Sequence, residues 1–223
     1  MIWDISPPVH AGTPVYPGDA PYTQRWTSTF GPDSPVQVSA LGFSAHLGAH
    51  ADAPLHWDPQ GAAIGALALE RFIGPCLLLT TTRPPGSLLV WEDLVGLVDL
   101  AELAPLPERI LIRTWDPHAH DAPPEDTWRT PWSALAPELL DALAARGARL
   151  IGIDTPSIDP ADSLTLPAHQ AARRHGLVVL ENLLLTDPPP GPYELIALPL
   201  RLTTAEASPV RAVLRPTASP EVC

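Results

Sequence analysis

Residues 44–58 read S-A-H-L-G-A-H-A-D-A-P-L-H-W-D, and this stretch decides how the rest of the chain is read. His46, His50, Asp52 and His56 fall at even positions with Gly48 and Pro54, while Ala45, Leu47, Ala49, Ala51, Ala53 and Leu55 take the odd ones. A period of two puts one apolar and one chemically active face on an extended segment. A helix fails this test, because at about 3.6 residues per turn Asp52 would lie roughly opposite His46 and His50. The polar face offers imidazole and carboxylate without thiolate, a donor set that first-row metals favour. A strand rises about 3.3 Å per residue, which would hold His46 and His50 roughly 13 Å apart, near the limit for one ion. A bend is therefore expected at Gly48, which lacks the Cβ that resists a tight turn. Asp52, with two oxygens among several imidazoles, is suited to bridge two ions about 3.5–4 Å apart. His56, two residues after Pro54, can serve as a ligand or as a proton shuttle beside the metals.

A second informative region lies at 149–185. An apolar strand over 149–154 runs into Asp154-Thr155-Pro156-Ser157, the kind of loop at a sheet end where α/β sites form. T-L-P-A-H-Q-A-A-R-R-H-G follows as a helix capped by Thr165, with Pro167 near its start, His169 in its first turns and Gly176 at its stop. Residues 177–185 then read L-V-V-L-E-N-L-L-L, a strand whose only polar residues are Glu181 and Asn182. A buried carboxylate must find cationic or hydrogen-bonding partners, or take up a proton. Metal ions would compensate Glu181; pairing with Arg173 or Arg174, or a place at the sheet edge, would do so as well.

Further strands are expected at 2–5, 36–45, 75–82, 110–114, 193–202 and 208–214, and further helices at 91–97 and 137–146, the last with Pro137 in its first turn and Gly147 past its end. Helices alternating with apolar strands indicate an α/β fold with a central, largely buried sheet. The first 20 residues are rich in turn formers, and Tyr16 stands before a Pro17-Gly18 turn, where its ring can pack on a planar substrate or within the loop. His118 and His120 sit in an acidic, proline-rich stretch and are read as solvated loop residues outside the site.

A chain of 223 residues suits one domain spanning 1–223, with 1–20 as a loop-rich segment contributing to the substrate site. Its 30 prolines accompany a 45% apolar composition, so they imply long ordered connections rather than disorder. With 13 basic against 25 acidic residues and a net charge of −12, nucleic acid and anionic membranes are excluded as partners on electrostatic grounds. M-I-W-D-I-S-P-P lacks the basic and apolar regions of a secretory signal, and no apolar run is long enough to cross a bilayer, so a cytoplasmic protein is expected. Cys76 and Cys223 make neither a disulfide framework nor a thiolate site, and Cys76 is expected to be a small buried residue.

The H-x-G-A-H-x-D-x-P-x-H pattern from His46 to His56 resembles the signature of the cyclase family of metal-dependent hydrolases. Y-P-G-D at Tyr16, G-P-C at Gly74, G-I-D-T-P-S at Gly152, D-S-x-T-L-x-A-H at Asp162, Y-E-L-I-A-L-P-L at Tyr193 and A-S-P-V-R-A-V-L-R at Ala207 extend the resemblance over nearly the whole chain, toward the bacterial kynurenine formamidases (arylformamidases). The resemblance implies a swivelling β/β/α-like architecture, a homodimer and two zinc ions per subunit, with manganese chemically suited to the same donors. It places His46, His50 and Asp52 on the first ion, Asp52, His169 and Glu181 on the second with both carboxylates shared, His56 as general acid/base and Tyr16 on substrate. The implied reaction is hydrolysis of N-formyl-L-kynurenine to L-kynurenine and formate in tryptophan degradation. Alternatives are a related hydrolase acting on isatin or another N-acyl aromatic amide, and a catalytically silent metal-binding scaffold. Departures from the formamidase pattern are Tyr16 for tryptophan, Pro167 and Gln170 beside His169, and Asn182 where glycine is usual.

Overall fold

A computed structural model describes residues 1–95, 105–114 and 131–217. Its first half holds strands β1 (Trp3–Asp4), β2 (Thr23–Ser28), β3 (Val38–Gly42), β4 (His50–Asp52), β5 (Ile73–Thr80) and β6 (Leu88–Leu89), then helix α1 (Trp91–Val95) and β7 (Arg109–Arg113). The second half runs β8 (Ala134–Leu135), α2 (Pro137–Ala145), β9 (Leu150–Ile153), α3 (Pro167–His175), β10 (Val178–Glu181), β11 (Gly191–Ile196), β12 (Ala207–Pro209) and β13 (Val213–Pro216). Nine strands form one mixed sheet in the order β1-β13-β11-β5-β7-β9-β10-β4-β12, while β2 with β3 and β6 with β8 make small separate pairs.

The four central strands β5, β7, β9 and β10 are mutually parallel, and the strands outside them pair antiparallel. Parallel strands buried on both faces need apolar side chains in both directions, which is why the expected strands at 75–82 and 110–114 carry the unbroken apolar runs Cys76 to Leu79 and Ile110 to Ile112. Leu77 and Leu79 of β5 face a cluster with Leu94 of α1, Leu139, Leu140 and Leu143 of α2, and Ala168, Ala171 and Ala172 of α3. Cys76 and Leu78 face the opposite cluster, which contains Ile5, Phe72, Leu195 and Ala212 and no residue of α1, α2 or α3. Among the described residues the three α-helices therefore cover one face. Each leucine of α2 buried there contributes about 1.5–3 kcal/mol of transfer free energy.

Residues 44–58 do not form one extended segment. The strand is only His50–Asp52, entered through a turn with Gly48 at φ 63° and left through a 3-10 helix at Pro54–His56. Gly48 is required twice over, since a Cβ there would also lie 2.9 Å from Val9 Cγ2. The apolar half of the alternation survives, with Ala49, Ala51 and Ala53 packed on the face opposite α1, α2 and α3.

The expected strand at 208–214 is two. β12 closes one end of the sheet against β4, while β13 lies near the other between β1 and β11. Pro209, which has no N–H to donate, ends the first of them. The strand expected over 177–185 stops at Glu181 because Asn182 takes φ 55°, and Thr165 does not cap α3, whose first flanking residue is Leu166 at φ 47° with no side-chain cap of its own. The β2 segment T-Q-R-W-T-S went unread for want of an apolar run, being largely exposed. Residues 96–97, His118 and His120 lie outside the described residues. Among the described residues no helix is long and apolar enough to cross a membrane.

The left-handed backbone at Asn182 explains an asparagine where the resemblance leads one to expect glycine, because asparagine is among the few other residues that visit this region readily. Asn182→Gly should stay within about 1 kcal/mol of wild type in chemical denaturation, whereas Asn182→Val should cost about 1–2 kcal/mol. Equal stabilities for the two variants would show that backbone conformation does not select this residue.

Candidate metal centre

Pairing of β4 with β10 sets His50 opposite Glu181 and Asp52 opposite Val179. Residues two apart share a face, and Val179 belongs to the helix-side cluster, so His50, Asp52 and Glu181 project to the side on which α3 packs. Helix α3 begins at Pro167, whose missing N–H is harmless in a first turn, and presents His169 to the same point. His50, Asp52, His169 and Glu181 are all buried, Asp52 with 0% exposure.

Each carboxylate offers one oxygen to each of two imidazoles. His50 Nε2 lies 3.5 Å from Asp52 Oδ1 and 3.4 Å from Glu181 Oε2. His169 Nε2 lies 3.6 Å from Asp52 Oδ2 and 3.5 Å from Glu181 Oε1. His46 Nδ1 reaches Asp52 Oδ1 at 3.1 Å. Arg173 and Arg174 do not serve Glu181: they pair with Asp58 and Asp141. The backbone N–H of Ile158 donates to Glu181 Oε1 at 2.8 Å.

His50 Nε2, His169 Nε2 and both Asp52 carboxylate oxygens are buried without a hydrogen-bond partner. A buried polar atom left unsatisfied costs about 1–3 kcal/mol, so four converging on one point call for a cation. The far nitrogen of each imidazole is meanwhile engaged. His50 Nδ1–H donates to the Gly48 carbonyl at 2.8 Å, His169 Nδ1–H donates to Asp159 Oδ2 at 2.6 Å, and His46 Nε2 lies 3.5 Å from Glu206 Oε1. Such contacts leave the inward nitrogens of His50 and His169 as lone pairs, the form that binds metal. Two groups, His46, Asp52 and His56 and also His50, Asp52 and Glu181, can each bring one ligand atom per residue within 4.8 Å of the others. The donor set fits a metal ion.

Burial works against positive charge on His50, yet Asp52 and Glu181 outweigh it and hold the imidazole at about 9. His169 behaves alike: burial is overcome by Asp159, Asp52 and Glu181, which hold it at about 10. Asp52, despite its burial, is held well below the usual carboxylate range by His50, His169 and His46. His56 is the exception. Desolvation lowers its pKa against the pull of Asp52, and its ring lies 4.4 Å from that of His46 and 5.7 Å from that of His169.

The cluster forms the floor of a cleft of about 580 Å³, walled by Tyr16, Trp132, Ser157, Leu164, Asn182 and Glu206 among others. Tyr16 is 53% exposed there, and Pro156 and Ser157 confirm that the loop after β9 reaches the site. Six of the seven residues singled out in the sequence line this one cleft, and the seventh, Asp52, is buried beneath them against His46, His50 and His169. Sequence reasoning missed Trp132, Asp159 and Glu206. Asp159 had one signal, its place ten residues before His169 in a proline-bounded loop; Glu206 and Trp132 had none, being brought in by the β12 edge and the β8 loop.

The Cyclase family profile matches residues 3–160. Over 96% of both chains the protein is 55% identical to kynurenine formamidase of Paracidovorax citrulli (strain AAC00-1), and it is 54% identical to that of Bordetella pertussis over 96% of this chain and 97% of the other. Among solved structures, a predicted metal-dependent hydrolase from Bacillus stearothermophilus superposes with TM-score 0.76 at 26% identity, covering 96% of this chain and 97% of that one. Isatin hydrolase A from Labrenzia aggregata shares the fold with TM-score 0.81 at 23% identity, over 98% and 94% of the two chains.

The raised imidazole values set the pH behaviour of the metal-free protein. A group whose folded pKa exceeds its unfolded value of about 6.5 stabilises fully below that value and loses the contribution as pH rises through the folded pKa. With His50 at about 9 and His169 at about 10, the melting temperature of chelated protein should fall between pH 7 and 10. Zinc should oppose the fall by replacing those protons with a bound cation. A melting temperature of chelated protein that stays flat across this range would show that the two imidazoles are not held charged by the carboxylates.

Proposed function

The chain belongs to the cyclase family, and from that premise we propose that it is a kynurenine formamidase, hydrolysing N-formyl-L-kynurenine to L-kynurenine and formate. The observation that carries the reading is the pair of buried carboxylates, each shared between His50 and His169, on the floor of the cleft that also holds His56 and Tyr16. Identity of 55% over 96% of both chains supports the choice of substrate.

In this assignment His46, His50 and Asp52 would hold one zinc ion and Asp52, His169 and Glu181 a second, with both carboxylates shared. Zinc bound there would supply Lewis acidity toward the formyl oxygen and lower the pKa of water toward 7. Asp52 and Glu181 would balance the charge. His56, kept below the ordinary imidazole value by burial, is neutral at pH 7 and so able to accept a proton. It takes that proton from the water whose oxygen bonds to the formyl carbon. It then gives the proton to the aniline nitrogen as the C–N bond breaks, releasing formate and the free amine. Tyr16 packs its ring on the aryl group, a contact its exposure on the cleft wall permits. On the family resemblance the enzyme acts in tryptophan degradation as a cytoplasmic homodimer.

Turnover of N-formyl-L-kynurenine, followed by absorbance on protein of known metal content, is expected to vanish on chelation and return with zinc. No turnover in fully loaded protein, with hydrolysis of isatin instead, would transfer the same machinery to a cyclic amide.

His56 stands near enough to His46 and Asp52 to be a ligand itself, so metal content is the discriminating readout. His56→Ala should retain both ions and lose about 10²–10⁴ in turnover; loss of an ion would recast His56 as a ligand. Tyr16→Ala should raise KM by up to about tenfold, the scale of one aromatic contact, with kcat little changed. An unchanged KM would remove Tyr16 from the substrate site.

A further inference from the structure

Asp159 lies outside the ligand set and is fully buried, in the loop between β9 and α3. One side chain performs two tasks. Its Oδ1 accepts the backbone N–H of Ala168 at 2.8 Å, and its Oδ2 accepts the backbone N–H of His169 at 3.0 Å, so the first turn of α3 is capped from ten residues away. The same Oδ2 accepts Nδ1–H of the His169 ring at 2.6 Å. Trp132 Nε1–H donates to the Asp159 carbonyl at 2.8 Å and anchors the loop from the cleft wall.

Local capping is missing where it would be expected. Leu166, the residue flanking α3, is left-handed and has no side-chain cap. The carboxylate therefore does more than orient a ring: it ties the imidazole and the backbone that carries it to one buried point. Trp57 packs on the ring at 5.3 Å between centroids and restricts its rotation further.

We propose that Asp159 is a positioning residue that fixes the tautomer and direction of His169, and so the affinity of the ion that His169 holds. The inference rests on the metal reading of His169. An ionised carboxylate can only accept at Nδ1, which leaves the proton there and Nε2 free to face Asp52 and Glu181. Outer contacts of this type change metal affinity by about 10–100-fold when removed.

The test compares wild type, Asp159→Ala and Asp159→Asn by chelator competition, with melting curves of the metal-free proteins measured alongside. Wild type should hold two zinc ions. Asp159→Ala should hold one of them with its wild-type affinity and the other about 10–100-fold more weakly. Asp159→Asn, which keeps an acceptor but not the charge, should fall between the two; it also retains a capping oxygen, and so stands in if the alanine variant does not fold. Both ions held as tightly in Asp159→Ala as in wild type would overturn the proposal. So would equal weakening of both ions, which would mean the effect passes through the fold, or an asparagine variant no better than alanine.

Long-range 1H–15N spectra of His169 in metal-free protein, recorded where the ring is neutral, separate this idea from the two-ion reading. Nδ1–H in wild type and a tautomer mixture in Asp159→Ala support it. An Nε2–H form in wild type overturns it whatever the metal count, whereas fewer than two ions in wild type overturns the two-ion assignment and leaves the spectra to decide Asp159.

Discussion

Two buried carboxylates, Asp52 and Glu181, project from the same face of paired antiparallel strands, and the surrounding structure is arranged to make that tolerable. An isolated buried charge is costly enough that it must be paired, coordinated or neutralised. Here each carboxylate lies 3.4 to 3.6 Å from both His50 and His169, and His50 Nε2, His169 Nε2 and the two Asp52 oxygens converge there without a hydrogen bond. Without a cation, protons on His50 and His169 do the neutralising; with one, the same electrostatic field becomes binding energy. A site that stabilises a cation is thus a consequence of where the sheet places two acids.

That placement depends on an antiparallel strand joined to a parallel core. The four central strands need crossover connections, and α2 and α3 supply them while covering one face of the sheet. β4 enters next to β10 from a distant part of the chain and runs the other way, which brings His50 level with Glu181. Small residues permit this close approach: Ala49, Ala51 and Ala53 send nothing bulky into the opposite cluster. β12 then lies on the outer edge of β4, with Ala207 paired to Asp52, and the residue before it, Glu206, reaches His46.

Three histidines of the cleft differ in the charge they favour. His50 and His169 are buried among carboxylates and favour positive charge or a metal; at His56 desolvation outweighs the pull of Asp52 and lowers the pKa. The polar side chains of Ser157, Asn182 and Glu206 and the rings of Tyr16 and Trp132 wall a cleft of about 580 Å³ above the floor formed by the cluster.

The donor set was legible in the sequence because it is local: residue type and a period of two within 44–58 identify His46, His50, Asp52 and His56 without any knowledge of distant contacts. The buried central sheet was legible for a similar reason, since strands buried on both faces are mostly apolar. Glu181 stood out as a polar residue in an apolar strand, His169 took its place through the family resemblance, and the bend at Gly48 followed from a span too long for one ion. Where strands paired was not legible. The segment 208–214 divides between opposite ends of the sheet, Glu206 joins His46 across 159 intervening positions, and α3 is capped by Asp159 rather than by Thr165. The sequence by itself determined which chemical groups the site contains. Only the tertiary structure decided which oxygen faces which nitrogen, because strand register and the docking of α3 are settled by packing between segments far apart in the chain.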